Sequence, residues 1–181
     1  MSSEPKPGRS GGLQRTQGPP KVENEAPHAE RRQLTVAFVD IVGSTPLSER
    51  IDPEEFFAVI RTYRDICDEQ IRHYGGHIAR MIGDGLLAFF GVPQAHENDP
   101  ERAVRASLAI AAAIKEHRFL LSDGSFVRLG VRIGVNTGMV VVGSVPGEPP
   151  DRREVFGSSA HVAARLQGLA APDTVVISAA T

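Results

Sequence analysis

Two acidic residues, each bordered by apolar runs, constrain the fold of this chain more than any other feature. Leu34–Val39 is a near-continuous apolar run with β-branched and aromatic members, typical of a buried strand, and Asp40 follows it directly. Two further apolar runs are joined by Gly83, Asp84 and Gly85, and Asp-Gly in this setting predicts a hairpin turn. If the first strand lies beside the hairpin, both carboxylates meet at one edge of a sheet. Paired carboxylates with an adjacent glycine-containing loop suit divalent cations and phosphate oxygens.

Composition and charge restrict the class of protein. The 181 residues leave room for one domain and a tail, and contents of 41% hydrophobic and 23% charged residues are ordinary for a globular chain. A formal net charge of −2 offers no broad basic face for nucleic acid. No apolar run approaches the roughly 18 residues of a membrane helix. The single cysteine, Cys67, excludes an internal disulfide and fits a reducing compartment, so a cytoplasmic location is expected.

The first 30 residues differ in composition from the rest. They are rich in Pro, Gly, Ser, Lys and Glu and contain almost no large apolar side chains. Such a segment buries too little surface to offset its ordering entropy, so residues 1–30 are predicted to form a disordered tail. A linker or partner-docking role for this tail stays open. Residues 31–181 are predicted to form the folded domain.

Local signals predict an alternation of strands and helices in that domain. Asp52 caps a helix that begins at Pro53 and ends before Gly75, and Cys67 lies on its apolar stripe, where packing is expected and reactivity is not. Thr137 and Gly138 are read as a turn between two strands. The remaining predicted strands are 77–84, 86–92, 126–136, 139–142 and 174–178, and the remaining helices are 99–117 and 160–169. The order β-α-β-β-α-β-β-α-β predicts an α+β sandwich with the helices on one sheet face.

Five segments of the sequence occur in the order and spacing of one protein family. They are FVDIVGST, MIGDGLLAFFG, HENDPERAVRASLAI, VRIGVNTGMVVVG and HVAARLQGLA. Together they resemble the class III adenylate/guanylate cyclase catalytic domain of bacterial type, from about residue 31 onward. The resemblance implies a ferredoxin-like βαββαβ core with helices packed on a mainly antiparallel sheet. The family usually continues past the position of Thr181 into a further strand or hairpin, so either the sequence is cut there or this member is short.

The resemblance also implies a reaction and a metal site. Family members convert a nucleoside triphosphate to its 3′,5′-cyclic monophosphate and pyrophosphate by attack of the ribose 3′-oxygen on the α-phosphorus. Two divalent cations, Mg²⁺ or Mn²⁺, are expected to bind Asp40, Asp84 and the carbonyl of Ile41. The backbone amides after Ile41 are expected to hold the phosphates. These phosphate-binding residues are Val42, Gly43, Ser44 and Thr45.

Four more positions take roles by the same resemblance. Arg165 corresponds to the arginine that stabilises charge on the α-phosphoryl group. Arg80 replaces the usual lysine of adenylate cyclases, and Glu154 replaces the Asp or Thr that helps to read the base. The two either read the base or form a plain salt bridge. His161 replaces an asparagine that contacts the ribose, so a low rate is expected. ATP is favoured over GTP as substrate, and the base stays open.

Family active sites form between two protomers, of which one supplies the metal aspartates and the other supplies the arginines and base-reading residues. A single chain that carries all these positions implies a homodimer with two equivalent sites. The segment Ser144–Arg153 resembles the arm that clasps the partner. The alternative is a degenerate or regulatory cyclase-homology domain that binds nucleotide and metal, or only dimerises. A diguanylate cyclase is disfavoured because the turn at Asp84 lacks the Gly-Gly-Asp/Glu-Glu-Phe sequence.

Overall fold

A computed structural model describes residues 29–144 and 153–181. Residues 1–28 of the predicted tail and residues 145–152 of the predicted arm lie outside these residues, and the first strand already begins at Glu30, the last residue of the predicted tail. In chain order, the elements are β1 (Glu30–Val42), α1 (Ser44–Ser48), α2 (Pro53–His73), β2 (His77–Ile82), β3 (Gly85–Phe90), α3 (Asp99–Glu116), β4 (Phe119–Leu120), β5 (Phe126–Val127), β6 (Gly130–Ser144), β7 (Arg153–Phe156), α4 (Ser159–Leu169) and β8 (Thr174–Ile177). None of the helices in the described ranges is long and apolar enough to cross a membrane.

One six-stranded sheet organises the domain. Its strand order is β2-β3-β1-β6-β7, and β8 pairs with β6 along the same edge as β7. The β6–β8 pair is parallel, whereas the other pairs in this sheet are antiparallel. Strands β4 and β5 form a separate two-stranded sheet. The prediction of an α+β fold with a mainly antiparallel sheet is confirmed.

Helices α2 and α3 pack on one face of this sheet. Asp52 accepts a hydrogen bond from the Glu54 amide and Pro53 opens α2, which is the predicted start of this helix. The residues of α2 that recur every fourth position are buried against the odd-numbered residues of β1. The α2 residues are Val59, Tyr63, Cys67 and Ile71. Burial raises the pKa of the Cys67 thiol to about 12, which agrees with a packing role.

Helix α4 lies on the opposite face. Its Ala160 and Ala163 pack with Val36 and Phe38, the even-numbered residues of β1, together with apolar residues of β3. Side chains alternate between the two faces of a strand, so α4 and the α2–α3 pair cover opposite sides. The prediction that all helices share one sheet face is therefore wrong for α4.

Strand β6 corrects a second prediction. It runs through Thr137 and Gly138 without a turn, and the expected strand start at Phe126 belongs to the separate strand β5. The Thr137 hydroxyl is buried and hydrogen-bonded to the Thr35 hydroxyl of β1 at 2.9 Å. A Cβ on Gly138 would lie 2.5 Å from the Ser159 hydroxyl oxygen. The glycine therefore makes room for the start of α4. The prediction of a turn at Thr137 and Gly138 is wrong.

Candidate functional site

The two predicted metal carboxylates lie at one end of the β1–β3 pair. The antiparallel register of these strands pairs Val39 with Leu86, which places Asp40 beside the turn that contains Asp84. A Cβ on Gly85 would lie 3.3 Å from Oδ1 of Asp40, so this oxygen borders the turn directly. The convergence of both aspartates that the sequence predicted is present in the structure.

The electrostatics of Asp40 reflect this crowding. Its pKa is raised above the ordinary value, first by burial of the carboxylate and then by the negative charge of Asp84. Three groups act in the opposite direction and lower the pKa of Asp40: the Arg132 guanidinium, the Ile41 amide and the side-chain amide of Gln167. The site thus holds two like charges that repel each other, and a bound cation would relieve that repulsion.

Two of these neighbours, Arg132 and Gln167, were missed in the sequence. Arg132 pairs directly with Asp40 across the β1–β6 ladder, and its Nε is buried without a hydrogen-bond partner in the described part of the chain. Gln167 of α4 donates from Nε2 to Oδ2 of Asp40 at 3.2 Å. The alternating pattern of residues 126–136 placed Arg132 on a strand, but only the strand register reveals that it faces Asp40.

The donor set fits a hard divalent cation that shares its coordination with a ligand. Within residues 29–144 and 153–181, no cluster of three or more His, Cys, Asp or Glu side chains could hold a metal. Mg²⁺ commonly binds through one or two carboxylates, with water and substrate phosphates completing its octahedron. Two adjacent carboxylates are therefore sufficient for such a site. Ile41 is buried and paired with Val131, and its carbonyl as a third protein ligand stays a prediction.

The predicted phosphate-binding segment joins β1 to α1. Val42 is the last residue of β1 and pairs with Gly130. Gly43 adopts a positive φ of 72°, which favours glycine, and α1 begins at Ser44 and continues through Thr45. Apart from its chain neighbours, no described residue has an atom within 4 Å of a Cβ built on Gly43. The backbone therefore turns from strand to helix beside open space, where a ligand can approach it.

Two of the remaining predicted site residues share a cavity elsewhere on the α4 face. Arg80 of β2 and His161 of α4 line a cavity of about 500 Å³, and both residues are exposed. The other lining residues are mainly apolar and include Phe38, Ile82, Leu87, Phe89, Val155 and Phe156. Glu154 lies in β7 opposite Gly143, but its side chain is outside the described part, so its pairing with Arg80 stays a prediction.

Arg165 is turned away from Asp40 of its own chain. Ala163 and Gln167 both face the sheet, since a Cβ on Gly134 would contact the backbone of each. Arg165 is two residues from either one, which is a rotation of roughly 200° around an α-helix, and its side chain is exposed. Within one chain, Arg165 therefore lies on the side of α4 that faces away from Asp40 and Asp84.

Comparisons with known proteins agree with the motifs. Residues 26–181 match the family described as the adenylate and guanylate cyclase catalytic domain. The chain is 30% identical to adenylate cyclase 1 of Rhizobium meliloti over 141 residues. This aligned region covers 78% of this chain and 21% of the relative. The chain thus spans less than a third of the length of this curated relative.

Solved structures of a guanylyl cyclase and of an adenylyl cyclase share the fold of this chain. The guanylyl cyclase Cya2 superposes with a TM-score of 0.74 at 31% identity, covering 83% of this chain and 76% of Cya2. The adenylyl cyclase CyaB from P. aeruginosa superposes with a TM-score of 0.72 at 28% identity, covering 83% of this chain and 79% of CyaB.

Proposed function

Because the chain belongs to the adenylate and guanylate cyclase catalytic domain family, we propose that it converts a nucleoside triphosphate to its 3′,5′-cyclic monophosphate and pyrophosphate. The observation that carries this proposal is the meeting of Asp40 and Asp84 at one end of the β1–β3 pair, with Arg132 directly across from Asp40. Two carboxylates beside one arginine suit a ligand that arrives as a complex of divalent cations with a polyphosphate.

In this proposal, the residues around Asp40 have separate roles in the reaction. Asp40 and Asp84 would hold two divalent cations, Mg²⁺ or Mn²⁺, and these cations would supply charge neutralisation and favour deprotonation of the 3′-hydroxyl. Arg132 places a fixed positive charge beside the carboxylates, where it attracts the triphosphate. The backbone at Gly43 borders open space at the start of α1, and the amides of residues 42–45 would donate hydrogen bonds to phosphate oxygens.

The second half of the site comes from a partner protomer in this proposal. Arg165 is exposed and directed away from Asp40 of its own chain, so a second copy is needed to bring an arginine to the α-phosphoryl group. A two-fold homodimer supplies this arginine twice and completes two equivalent sites. His161 contacts the ribose in the same arrangement.

The base is assigned to the cavity that Arg80 and His161 line. Its apolar lining can stack a purine, and Arg80 in that lining can donate hydrogen bonds to the base. Glu154 enters this proposal by the family resemblance alone, as the second base-reading residue. ATP is the favoured substrate and GTP is the second candidate. Glu154 does not separate them, because a carboxylate can accept from adenine N6 or from guanine N1 and N2. The names of the relatives include both activities.

An activity assay tests the proposal. Purified protein with Mn²⁺ and either ATP or GTP is expected to release cyclic nucleotide and pyrophosphate, and Asp40→Ala is expected to lower the rate by at least about 100-fold because a metal ligand is lost. Asp65→Ala, which removes an exposed carboxylate of α2, serves as the control and should retain the wild-type rate. Equal rates in wild type and Asp40→Ala would contradict the proposal.

A degenerate or regulatory domain is the second candidate, favoured by the departures at Arg80, Glu154 and His161. It predicts binding of Mn²⁺ and nucleotide, or dimerisation alone, with little turnover. The same assay separates the two candidates when it is accompanied by a nucleotide-binding measurement. Binding without cyclic product would favour the regulatory domain.

A further inference from the structure

We infer that Gln167 is a positioning residue, which holds the carboxylate of Asp40 in the orientation that a divalent cation requires. This inference rests on the proposed function, since it assumes that Asp40 binds the cation. It concerns a side chain of α4 that acts within its own protomer, whereas His161 and Arg165 of the same helix are assigned to the partner's site.

The contact between the two side chains has a defined direction. Gln167 Nε2 lies 3.2 Å from Oδ2 of Asp40, and both groups are partly buried. An ionised carboxylate only accepts hydrogen bonds, so the amide nitrogen of Gln167 is the donor. The other oxygen, Oδ1, borders Gly85 in the turn that carries Asp84. Gln167 therefore holds one oxygen of Asp40 and leaves the other beside the turn that carries Asp84.

The backbone of Gln167 is itself fixed against the sheet. A Cβ on Gly134 of β6 would lie 2.1 Å from the Ala163 carbonyl oxygen and 2.3 Å from the Gln167 amide nitrogen. Helix α4 thus rests directly on the backbone of β6, a separation that only glycine permits. Gly134 pairs with Phe38, two residues before Asp40 on β1. These contacts fix the backbone position from which the Gln167 side chain reaches Asp40.

A carboxylate that a hydrogen bond already holds in position binds a metal more tightly than a freely rotating carboxylate does. Ordering a free carboxylate costs side-chain entropy at the moment of binding, and hydrogen bonds to ligating carboxylates typically change metal affinity or activity by 10–100-fold. Because Gln167 already orders the Asp40 carboxylate, less side-chain entropy is lost when the cation binds. The same short helix also carries His161 and Arg165, so one rigid element sets the orientation of a metal ligand and of the groups assigned to the neighbouring site.

Direct measurement of metal affinity tests this role. Mn²⁺ binding to the purified full chain, without nucleotide, is followed by electron paramagnetic resonance of the free ion. Gln167→Met keeps the length of the side chain but removes the donor, and the Kd for Mn²⁺ should rise about 10–100-fold. Gln94→Met is the matched control, because Gln94 is exposed in the loop at the other end of β3. Its Kd should equal that of the wild type.

A second variant and a second readout keep the test decisive. Gln167→Asn retains the amide but is one methylene shorter, so it should also weaken Mn²⁺ binding even if Gln167→Met does not fold. In the activity assay, both variants should raise the Mn²⁺ concentration for half-maximal rate and leave the KM for nucleotide at saturating Mn²⁺ unchanged. A folded Gln167 variant with wild-type Mn²⁺ affinity would overturn the inference alone. A wild-type chain that binds no Mn²⁺ would overturn the proposed metal site, and the inference with it.

Discussion

At the scale of single residues, Asp40 occupies a position that disfavours its own ionised form. Burial and the charge of Asp84 raise its pKa above the ordinary value of 3.8 despite the opposing effects of Arg132, the Ile41 amide and Gln167. A folded-state pKa above the unfolded value means that the ionised carboxylate lowers stability at neutral pH. Such a cost is typical of functional sites, where binding requires a charge that folding alone would not select.

Replacing Asp40 with asparagine should therefore stabilise the protein in the absence of metal. The cost is absent at pH values below the unfolded pKa near 3.8 and grows as the pH rises through the folded pKa. We expect Asp40→Asn to raise Tm at pH 7 in the presence of a chelator, and the gain over wild type to shrink as the pH falls toward 4. Differential scanning calorimetry at several pH values measures this.

Asp123 serves as a control because its pKa is shifted in the opposite direction from that of Asp40. It lies in the turn between β4 and β5, and hydrogen bonds from Ser125 lower the pKa of this carboxyl. Its ionised form is therefore favoured by folding, and Asp123→Asn should not raise Tm at pH 7. A higher Tm in Asp123→Asn, or a lower Tm in Asp40→Asn, would contradict this account of the two carboxyls.

At the scale of elements, the contact between α4 and β6 determines how the site is assembled. Gly134 and Gly138 lie on the α4 face of β6, and a Cβ on either one would lie within 2.5 Å of a helix atom. These glycines allow the helix to lie directly on the strand and bring Gln167 to Asp40. The relation between α4 and the sheet is thus set by backbone contact as well as by side-chain packing.

Gly134→Ala should disrupt this contact. The added Cβ would meet backbone atoms of Ala163 and Gln167, which cannot rotate away, and we expect a loss of about 3 kcal/mol in the free energy of unfolding. Gly168→Ala in the same helix is the matched control, because nothing lies within 4 Å of its Cβ. That change should be neutral or stabilise the chain by up to about 1 kcal/mol through helix propensity. Urea unfolding measures both, and equal stabilities for the two variants would argue against the contact.

At the scale of the whole molecule, the predicted site residues of one chain lie in separate places. The aspartates lie at one end of the β1–β3 pair, whereas Arg80 and His161 line a separate cavity and Arg165 is exposed on the outer side of α4. This cavity has a mainly apolar lining, and Ile82 and Phe156 at its border are about half exposed. A second protomer that covers this face would bring the two halves together.

Mixing two inactive variants tests the proposed assembly. Asp40→Ala lacks the metal half and Arg165→Ala lacks the arginine half, so their heterodimer contains one intact site and one doubly defective site. An equimolar mixture forms heterodimers in half of its dimers, and about a quarter of the wild-type rate should return. A mixture of Asp40→Ala with Asp84→Ala is the control and should stay inactive, because both lesions affect the same half. Recovery in the control, or none in the first mixture, would contradict the shared site.

Much of the architecture was predictable because its signals are local. The run before Asp40 and the Gly83-Asp84-Gly85 turn predicted a strand and a hairpin that the structure contains, and the cap at Asp52 placed the start of α2. These signals depend on alternation, capping and turn chemistry among residues that are neighbours in sequence. The family resemblance added candidate roles for residues that local patterns alone would have left as ordinary turn or surface positions.

The tertiary structure decided which distant residues surround Asp40. Arg132 becomes its neighbour only through the register of β1 on β6, and Gln167 only through the seating of α4 on Gly134. Gly138 was misread as a turn because a glycine needed for close packing and a glycine needed for positive φ look the same in a sequence. Local chemistry thus determined the elements and the two acidic positions, whereas long-range pairing and packing determined the environment in which those carboxylates act.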